Sequence, residues 1–100
     1  MDHRIYTSPI RFTWNEEKRL HNLRAHGLDF GDVHKVFAGG GLCFEDDRFV
    51  YNEQRFVTLG LLDGTPVAVV HTEAEEAIHV ISFRKATRRE AAILFATFRQ

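Results

Sequence analysis

The sequence predicts an α+β fold in which two N-terminal helices and one C-terminal helix pack on a small, mainly antiparallel sheet. Two helical patterns before residue 39 are followed by four short apolar runs and one final amphipathic pattern. Two of the runs flank Asp63-Gly64, a strong hairpin signal. A length of 100 residues with 44% apolar and 27% charged residues suits a single domain over residues 1–100.

The N-terminal third is predicted to contain one strand and two helices. Residues 1–9 form an N-terminal extension, and the alternation in IRFTW predicts a short strand. Asn15 can cap the first helix and Gly27 ends it, while its thin apolar stripe leaves most of the helix facing water or a ligand. A second helix begins after Asp29 and ends before the glycines at 39–41.

The rest of the chain is predicted to form strands followed by the last helix. The strand candidates are LCFE, RFVTLGLL, PVAVVHT and AIHVISFR. Thr87 and Glu90 form a capping-box pattern that marks the start of the final helix. The helical spacing predicts that this helix buries Ala91, Leu94, Phe95 and Phe98.

The charge distribution is uneven, although the net charge is only −1. Residues 28–81 contain ten Asp and Glu against three Lys and Arg, and both flanking regions are basic. Cys43 is the only cysteine, so an intrachain disulfide is excluded and a reducing cytoplasm is the expected location. No apolar run reaches the roughly 18 residues of a membrane helix, and the N-terminus lacks the apolar core of a signal peptide.

Four cations, Arg84, Lys85, Arg88 and Arg89, lie within six residues at the start of the last helix. Cations in the first turn oppose the helix dipole, at a cost of roughly 0.3–1 kcal/mol each. Free N–H groups at a helix N-terminus also favour anions. The cluster therefore predicts a site for phosphate or an acidic partner; the alternative is pairing with the acidic middle of the same chain.

Two further groups are candidate site residues. Lys18, Asn22 and His26 share one face of the first helix, beside Arg24, and Trp14 could add a base-stacking surface. The alternative for this helix is a solvated face.

Glu53 and Arg55 are two apart and are expected to point to the same side, as proton acceptor and charge stabiliser or simply as a surface ion pair. The histidines show no metal-ligand spacing, so we expect no metal site and no cofactor; His71 and His79 are interpreted as packed or surface residues.

Three segments carry a family resemblance. FTWNEEKRLHNLRAHGLDFGDVHKVF, NEQRFVTLGLLDG and VISFRKATRREA, in that order, resemble the BrnT family of bacterial toxins over about residues 12–91. The resemblance implies a type II toxin with a RelE-like fold, acting as a metal-independent ribonuclease that arrests translation. It also implies a BrnA-like antitoxin that neutralises the toxin and could form a 2:2 heterotetramer with the toxin. Contact with operator DNA would then occur only through the antitoxin.

The family motifs coincide with most of the candidate residues. The matching positions are Trp14, Lys18, Asn22, His26, Glu53, Arg55, Ser82, Arg84, Lys85, Arg88 and Arg89. Two positions depart from the family pattern. Arg24 stands where lysine is expected, which keeps the charge but changes proton-transfer chemistry, and Phe83 stands where a small residue is expected.

The predicted reaction is RNA cleavage in which the substrate's 2′-hydroxyl attacks the adjacent phosphate. Arg84 and Arg55 are expected to stabilise charge on the phosphate with help from Lys18, and Glu53 or His26 is expected to be the base. The expected RNA-binding residues are Trp14, Asn22, Arg24, Lys85, Arg88 and Arg89.

Two other functional classes compete with the nuclease. One is a non-catalytic module that holds an antitoxin or co-repressor on the same basic face. The other is a DNA-binding repressor subunit, which is disfavoured because the first helix begins with acidic residues that DNA would repel.

Overall fold

A five-stranded mixed sheet lies at the centre of the computed structural model, which describes residues 10–47 and 53–99. The strands are β1 (Arg11–Thr13), β2 (Leu42–Glu45), β3 (Phe56–Leu62), β4 (Thr65–Ala74) and β5 (Ala77–Lys85), in the spatial order β1-β5-β4-β3-β2. The helices are α1 (Glu16–His26), α2 (Val33–Ala38) after a 3-10 turn at Phe30–Asp32, and α3 (Arg88–Phe98). The predicted α+β class is confirmed, whereas the expected extension at residues 1–9 lies outside the described residues.

Local sequence signals account for the element boundaries. Asn15 accepts a hydrogen bond from the Lys18 backbone at the start of α1, and Thr87 and Glu90 form both bonds of the capping box on α3. At the β3–β4 turn, Asp63 and Gly64 both have positive φ angles, 50° and 85°, as a tight hairpin turn requires. None of the helices in the described part of the chain is long and apolar enough to cross a membrane.

The sheet is antiparallel except where β1 runs parallel to β5. β1 pairs only with residues 77–79, so the rest of β5 extends past it. There the side chain of Asn22 on α1 bonds to backbone groups of β5 that a neighbouring strand would otherwise pair with. Its amide donates to the Phe83 carbonyl at 2.7 Å and accepts from the Phe83 N–H at 3.1 Å, which fixes α1 against β5.

One face of the sheet carries the larger core. On this face α2 lies against β3 and the 3-10 turn lies against β5, and their apolar side chains share one core with those of β4 and β5. The buried residues are Phe30, Val33, Val36, Val67, Val69, Val80 and Phe83. Arg19 joins α1 to the cap of the 3-10 turn by donating from Nε and Nη2 to the two carboxylate oxygens of Asp29, at 2.8 and 3.0 Å.

The opposite face is covered by α3 through a narrower contact. Leu94 is fully buried against Val57, Leu59 and Ala68, as expected. Phe95 and Phe98 are 40% and 46% exposed, so the prediction that they are buried is wrong. The reason is the rotation of the helix.

Glu90 sets this rotation because it is tied to Arg84 on β5 by two hydrogen bonds of 2.7 and 3.1 Å. With Glu90 turned towards the sheet, Ala91, Leu94 and Thr97 are the more enclosed positions of α3. Phe95, which the periodicity placed inside, is consequently turned to the outside.

A buried histidine lies on the same face as the larger core. His71 has no exposed surface, and its ring packs between Phe37 and Phe56, with centroid distances of 5.2 and 6.0 Å. Nε2 lies 2.7 Å from the Thr58 hydroxyl. Burial lowers the pKa of His71 to about 4, and a backbone contact at Thr72 opposes this only in part, so the ring is neutral at pH 7.

Candidate active site

A groove between α1 and β5 contains two adjoining cavities of about 560 and 470 Å³. Lys18 and Ile81 line both cavities and therefore join them. The pairing of β4 with β5 shifts between Val70 and His71, which leaves Ile81 without a cross-strand partner on β4. The hydrogen bonds of the Asn22 side chain hold α1 against β5. The helix and this bulge form the walls of the groove.

The first cavity collects the polar face of α1. Lys18, Asn22 and His26 all line it, as their helical spacing predicted, with His21 beside them and Ser82 opposite on β5. Lys18 and His26 are exposed, whereas Asn22 is only 6% exposed. The amide of Asn22 also donates to the Leu28 carbonyl at 3.1 Å, so both its ends are engaged within the protein. Asn22 therefore positions the helix.

The second cavity contains the acid–arginine pair that precedes β3. Glu53 and Arg55 both line it together with Lys18. Nε and Nη2 of Arg55 donate to the same carboxylate oxygen, Oε1 of Glu53, at 3.3 and 3.2 Å. The side chain of Glu53 is about half exposed and that of Arg55 is a quarter exposed. The pair is thus an ion pair, as one sequence interpretation held, and it also lies in a groove beside a lysine.

His79 on β5 is a site candidate that the sequence interpretation missed. It lines the second cavity, and its Nδ1 lies 2.9 Å from the Thr13 hydroxyl on β1. The residue is exposed between the buried Ile78 and Val80. Strand alternation around His79 was a usable signal, but nothing in the sequence pointed to the neighbouring Glu53 and Lys18.

Trp14 packs against the core and Arg24 stays on the surface. The Trp14 ring meets Phe30 edge-on at a centroid distance of 6.3 Å, and its Nε1–H donates to Glu16 at 3.2 Å. Arg24 is exposed in the last turn of α1. Neither residue lines the two cavities.

The C-terminal cluster of cations divides into two parts. Arg84 is held in a bidentate ion pair with Glu90, and its side chain is 23% exposed. Arg84 lowers the pKa of Glu90, as does the Thr87 backbone, and burial opposes this shift only in part. This half of the cluster is the internal pairing considered above, although its partner comes from α3 and not from the acidic middle of the chain.

Lys85, Arg88 and Arg89 form the other part. All three are exposed, and none makes an ion pair with any residue in 10–47 or 53–99. They leave unneutralised positive charge at the N-terminal end of α3, where the capping box already occupies two N–H groups. This half retains the charge that an anionic partner would require.

The structure thus brings together some predicted site residues and separates others. Lys18, Asn22, His26, Glu53 and Arg55 line the groove, with His79 added to them. The lining of the two cavities does not include Trp14, Arg24, Arg84, Lys85, Arg88 or Arg89. The groove therefore combines carboxylate, imidazole, ammonium and guanidinium groups, which can together exchange protons and hold a phosphate.

Comparison with known proteins gives two similarities. Residues 14–90 match the family model described as the ribonuclease toxin BrnT of type II toxin–antitoxin systems. The chain is also similar to the 1.1 Å crystal structure of the Brucella abortus ribonuclease toxin BrnT, with 30% sequence identity and a TM-score of 0.63. That match covers 79% of this chain and 99% of the Brucella chain. No curated protein matches the sequence.

Proposed function

The chain belongs to the BrnT family of ribonuclease toxins of type II toxin–antitoxin systems, and on this basis we propose that it cleaves RNA in the groove between α1 and β5. The observation that carries the proposal is that Lys18, Glu53, Arg55 and His79 line one cavity. In the proposed reaction, the 2′-hydroxyl of the RNA attacks the adjacent phosphate. This reaction requires a base for the hydroxyl, an acid for the leaving oxygen and positive charge near the phosphate. The residues lining this cavity can supply all three.

The proton transfers can be assigned to two of the groups that line the cavity. Arg55 bonds to Oε1 of Glu53, so Oε2 is the proposed acceptor of the 2′-hydroxyl proton. The 2′-oxygen then bonds to phosphorus, and the 5′-oxygen leaves with a proton from His79. The products are a 2′,3′-cyclic phosphate and a 5′-hydroxyl. Lys18 and Arg55 stabilise the charge that develops on the phosphoryl oxygens.

His26 and Arg84 take other roles in this proposal. His26 lines the first cavity, beyond Lys18 from Glu53, so we assign it to RNA next to the cleaved bond. A phosphate could reach Arg84 only by displacing Glu90 from two short hydrogen bonds. We therefore assign Arg84 as a positioning residue that holds α3 on β5.

The exposed cations at the start of α3 suit phosphates further along the strand. Lys85, Arg88 and Arg89 have no ion-pair partner in the described parts of the chain. Contacts of this kind with ground-state phosphates increase RNA affinity, and this contribution falls as the salt concentration rises. They discriminate little between RNA sequences.

We further propose that a BrnA-like antitoxin covers this basic surface, in a 2:2 complex that contacts operator DNA through the antitoxin, in the cytoplasm. Membership of a type II toxin–antitoxin family supports an antitoxin partner. The exposed apolar side chains of α3, Ile93, Phe95 and Phe98, also suit a protein partner. The same observation favours the second candidate function, a partner-binding module without nuclease activity.

Single-turnover cleavage of a messenger RNA in excess EDTA tests the proposal. Glu53→Gln should slow cleavage by about 10²–10⁴-fold, because it removes the base while keeping the shape of the side chain. Glu75→Gln, at the exposed β4–β5 turn, is the matched control and should leave the rate unchanged. Cleavage that stops in EDTA would refute the metal-independent route. Full activity of Glu53→Gln would refute the assigned base, and an inactive wild-type protein that still binds antitoxin would establish the second candidate.

A further inference from the structure

A thiol, an imidazole and a carboxylate, all of them common metal ligands, lie close together on one face of the sheet. None of the three belongs to a residue assigned to RNA cleavage. The Sγ of Cys43, a ring nitrogen of His71 and a carboxylate oxygen of Glu73 all lie within 4.8 Å of one another. Cys43 on β2 is paired with Thr58 on β3, and Thr58 with Val69 on β4. His71 and Glu73 are two and four residues beyond Val69, so the alternation of β4 places them on that same face.

The geometry of His71 points to an absent ligand. The ring is fully buried, yet its Nδ1 makes no hydrogen bond to any residue in the described parts of the chain. The nearest carboxylate oxygen, Oε1 of Glu73, lies at 3.9 Å, too far for a hydrogen bond to a neutral imidazole. Buried polar atoms are nearly always satisfied, so an Nδ1 that makes no hydrogen bond and lies beside a carboxylate requires an explanation.

Thr58 orients the other two groups towards this point. Its hydroxyl lies 2.7 Å from Nε2 of His71, and its interaction with the Cys43 thiol opposes in part the rise in that thiol's pKa. If Nε2–H donates to the Thr58 oxygen, the lone pair of His71 is on Nδ1, directed at the cluster. A histidine that binds a metal usually donates its second ring N–H in this way. Partial enclosure raises the pKa of the Cys43 thiol, so a metal would bind by displacing its proton.

Two of the three groups, Cys43 and Glu73, also line a space large enough for an ion, whereas the buried His71 is not among its lining residues. A cavity of about 170 Å³ is lined by Cys43, Thr58 and Glu73 together with Phe37, Gly40 and Gly41. In tetrahedral zinc sites the ligand atoms lie roughly 2.0–2.3 Å from the metal, which places them roughly 3.3–3.7 Å from one another. The three ligand atoms lie within 4.8 Å of one another, so each separation is at most about 1.5 Å longer than these values. The exposed Cys43 can turn inward without moving the sheet.

We propose that Cys43, His71 and Glu73 form a binding site for Zn²⁺, with the fourth position left to water. A thiolate, an imidazole and a carboxylate are a donor set that Zn²⁺ prefers over Mg²⁺ or Ca²⁺. Residue spacing could not predict this site because Cys43 comes from a strand separated from His71 and Glu73 by β3. Glu73 also lines the second cavity of the groove, but the site uses none of the four groups assigned to RNA cleavage, so zinc binding and metal-independent cleavage are separate claims.

The test is titration of the chelator-treated full-length protein with Co²⁺, as a coloured substitute for Zn²⁺, followed by Zn²⁺ competition. We expect one Co²⁺ per chain, a thiolate-to-cobalt absorption band, displacement by Zn²⁺ and a higher melting temperature with Zn²⁺. Cys43→Ser should abolish the band. Glu73→Gln should weaken Zn²⁺ binding by more than about 10-fold, since even outer-shell changes cost about 10–100-fold. The exposed His34→Asn is the control and should bind as the wild type does.

Three outcomes would overturn the proposal: no binding at micromolar Zn²⁺, binding without the thiolate band, or binding that survives both Cys43→Ser and Glu73→Gln. These two variants lie at the exposed and half-buried positions of the cluster, so they decide the question even if a His71 variant fails to fold. RNA cleavage in EDTA is a separate measurement. Its loss in a protein that remains folded in EDTA would refute the proposed cleavage mechanism without affecting the zinc titration.

Discussion

The buried imidazole of His71 should make the protein sensitive to mild acid. Its folded-state pKa of about 4 lies below the ordinary value of 6.5. Between these values the unfolded chain binds a proton that the folded protein excludes, so its contribution to stability is complete above about pH 6.5 and is lost as the pH falls towards 4. At 1.36 kcal/mol for each pKa unit, the loss is about 2 kcal/mol by pH 5 and about 3 kcal/mol by pH 4.

Urea unfolding at a series of pH values, in EDTA to exclude metal binding, measures this loss. His71→Gln keeps a polar group of similar reach but does not titrate, so its free energy of unfolding should fall by about 2 kcal/mol less between pH 7 and 5. Asp29 and Glu90 also have lowered pKa values, and they lose their contributions at lower pH in both proteins. Parallel pH curves for the two proteins, or an NMR titration of the His71 ring near 6.5, would refute the reasoning.

Three further predictions concern α3 and the partner. Leu94→Ala should lower the free energy of unfolding by about 2–5 kcal/mol and Phe95→Ala by much less, since only Leu94 is buried; equal losses in urea melts would contradict the helix rotation. Arg84→Ala should cost about 1–3 kcal/mol because Glu90 loses its partner, whereas Arg89→Ala should hold stability level or raise it by about 0.3–1 kcal/mol. Thermal melts that rank these two variants in the opposite order would count against the division of the cluster. The affinity for the antitoxin should fall as the salt concentration rises if the exposed cations provide most of the binding energy. An affinity that is the same at low and high salt in a titration would indicate that the apolar side chains of α3 provide it.

The fold could be predicted because its boundaries are encoded locally. The Asn15 cap, the Asp63-Gly64 turn and the capping box at Thr87 each act over a few residues, and all three occur where expected. The rotation of α3 could not be predicted in this way. It depends on Arg84 of β5 meeting Glu90, a contact between elements, and helical periodicity alone favoured a stripe containing Phe95.

The candidate site was predictable along α1 and much less so across the sheet. Helical spacing correctly placed Lys18 and His26 on one wall of the groove. The neighbourhood of Glu53 and His79 depends on residues far apart in sequence. Charge clustering identified the cations at the start of α3. Composition alone could not distinguish Arg84, which pairs with Glu90, from neighbours that form no ion pair within residues 10–47 and 53–99.

The short first strand has a consequence for the edge of the sheet that β5 would otherwise expose. An uncovered strand margin, with backbone donors and acceptors facing water, is a template onto which another chain can add. β5 would present such a margin past residue 79, but the Asn22 amide fills both backbone positions of Phe83. One side chain on a helix thus closes the sheet to strand addition at the point where β1 stops. Losing it would expose β5 to self-association as well as loosening the groove.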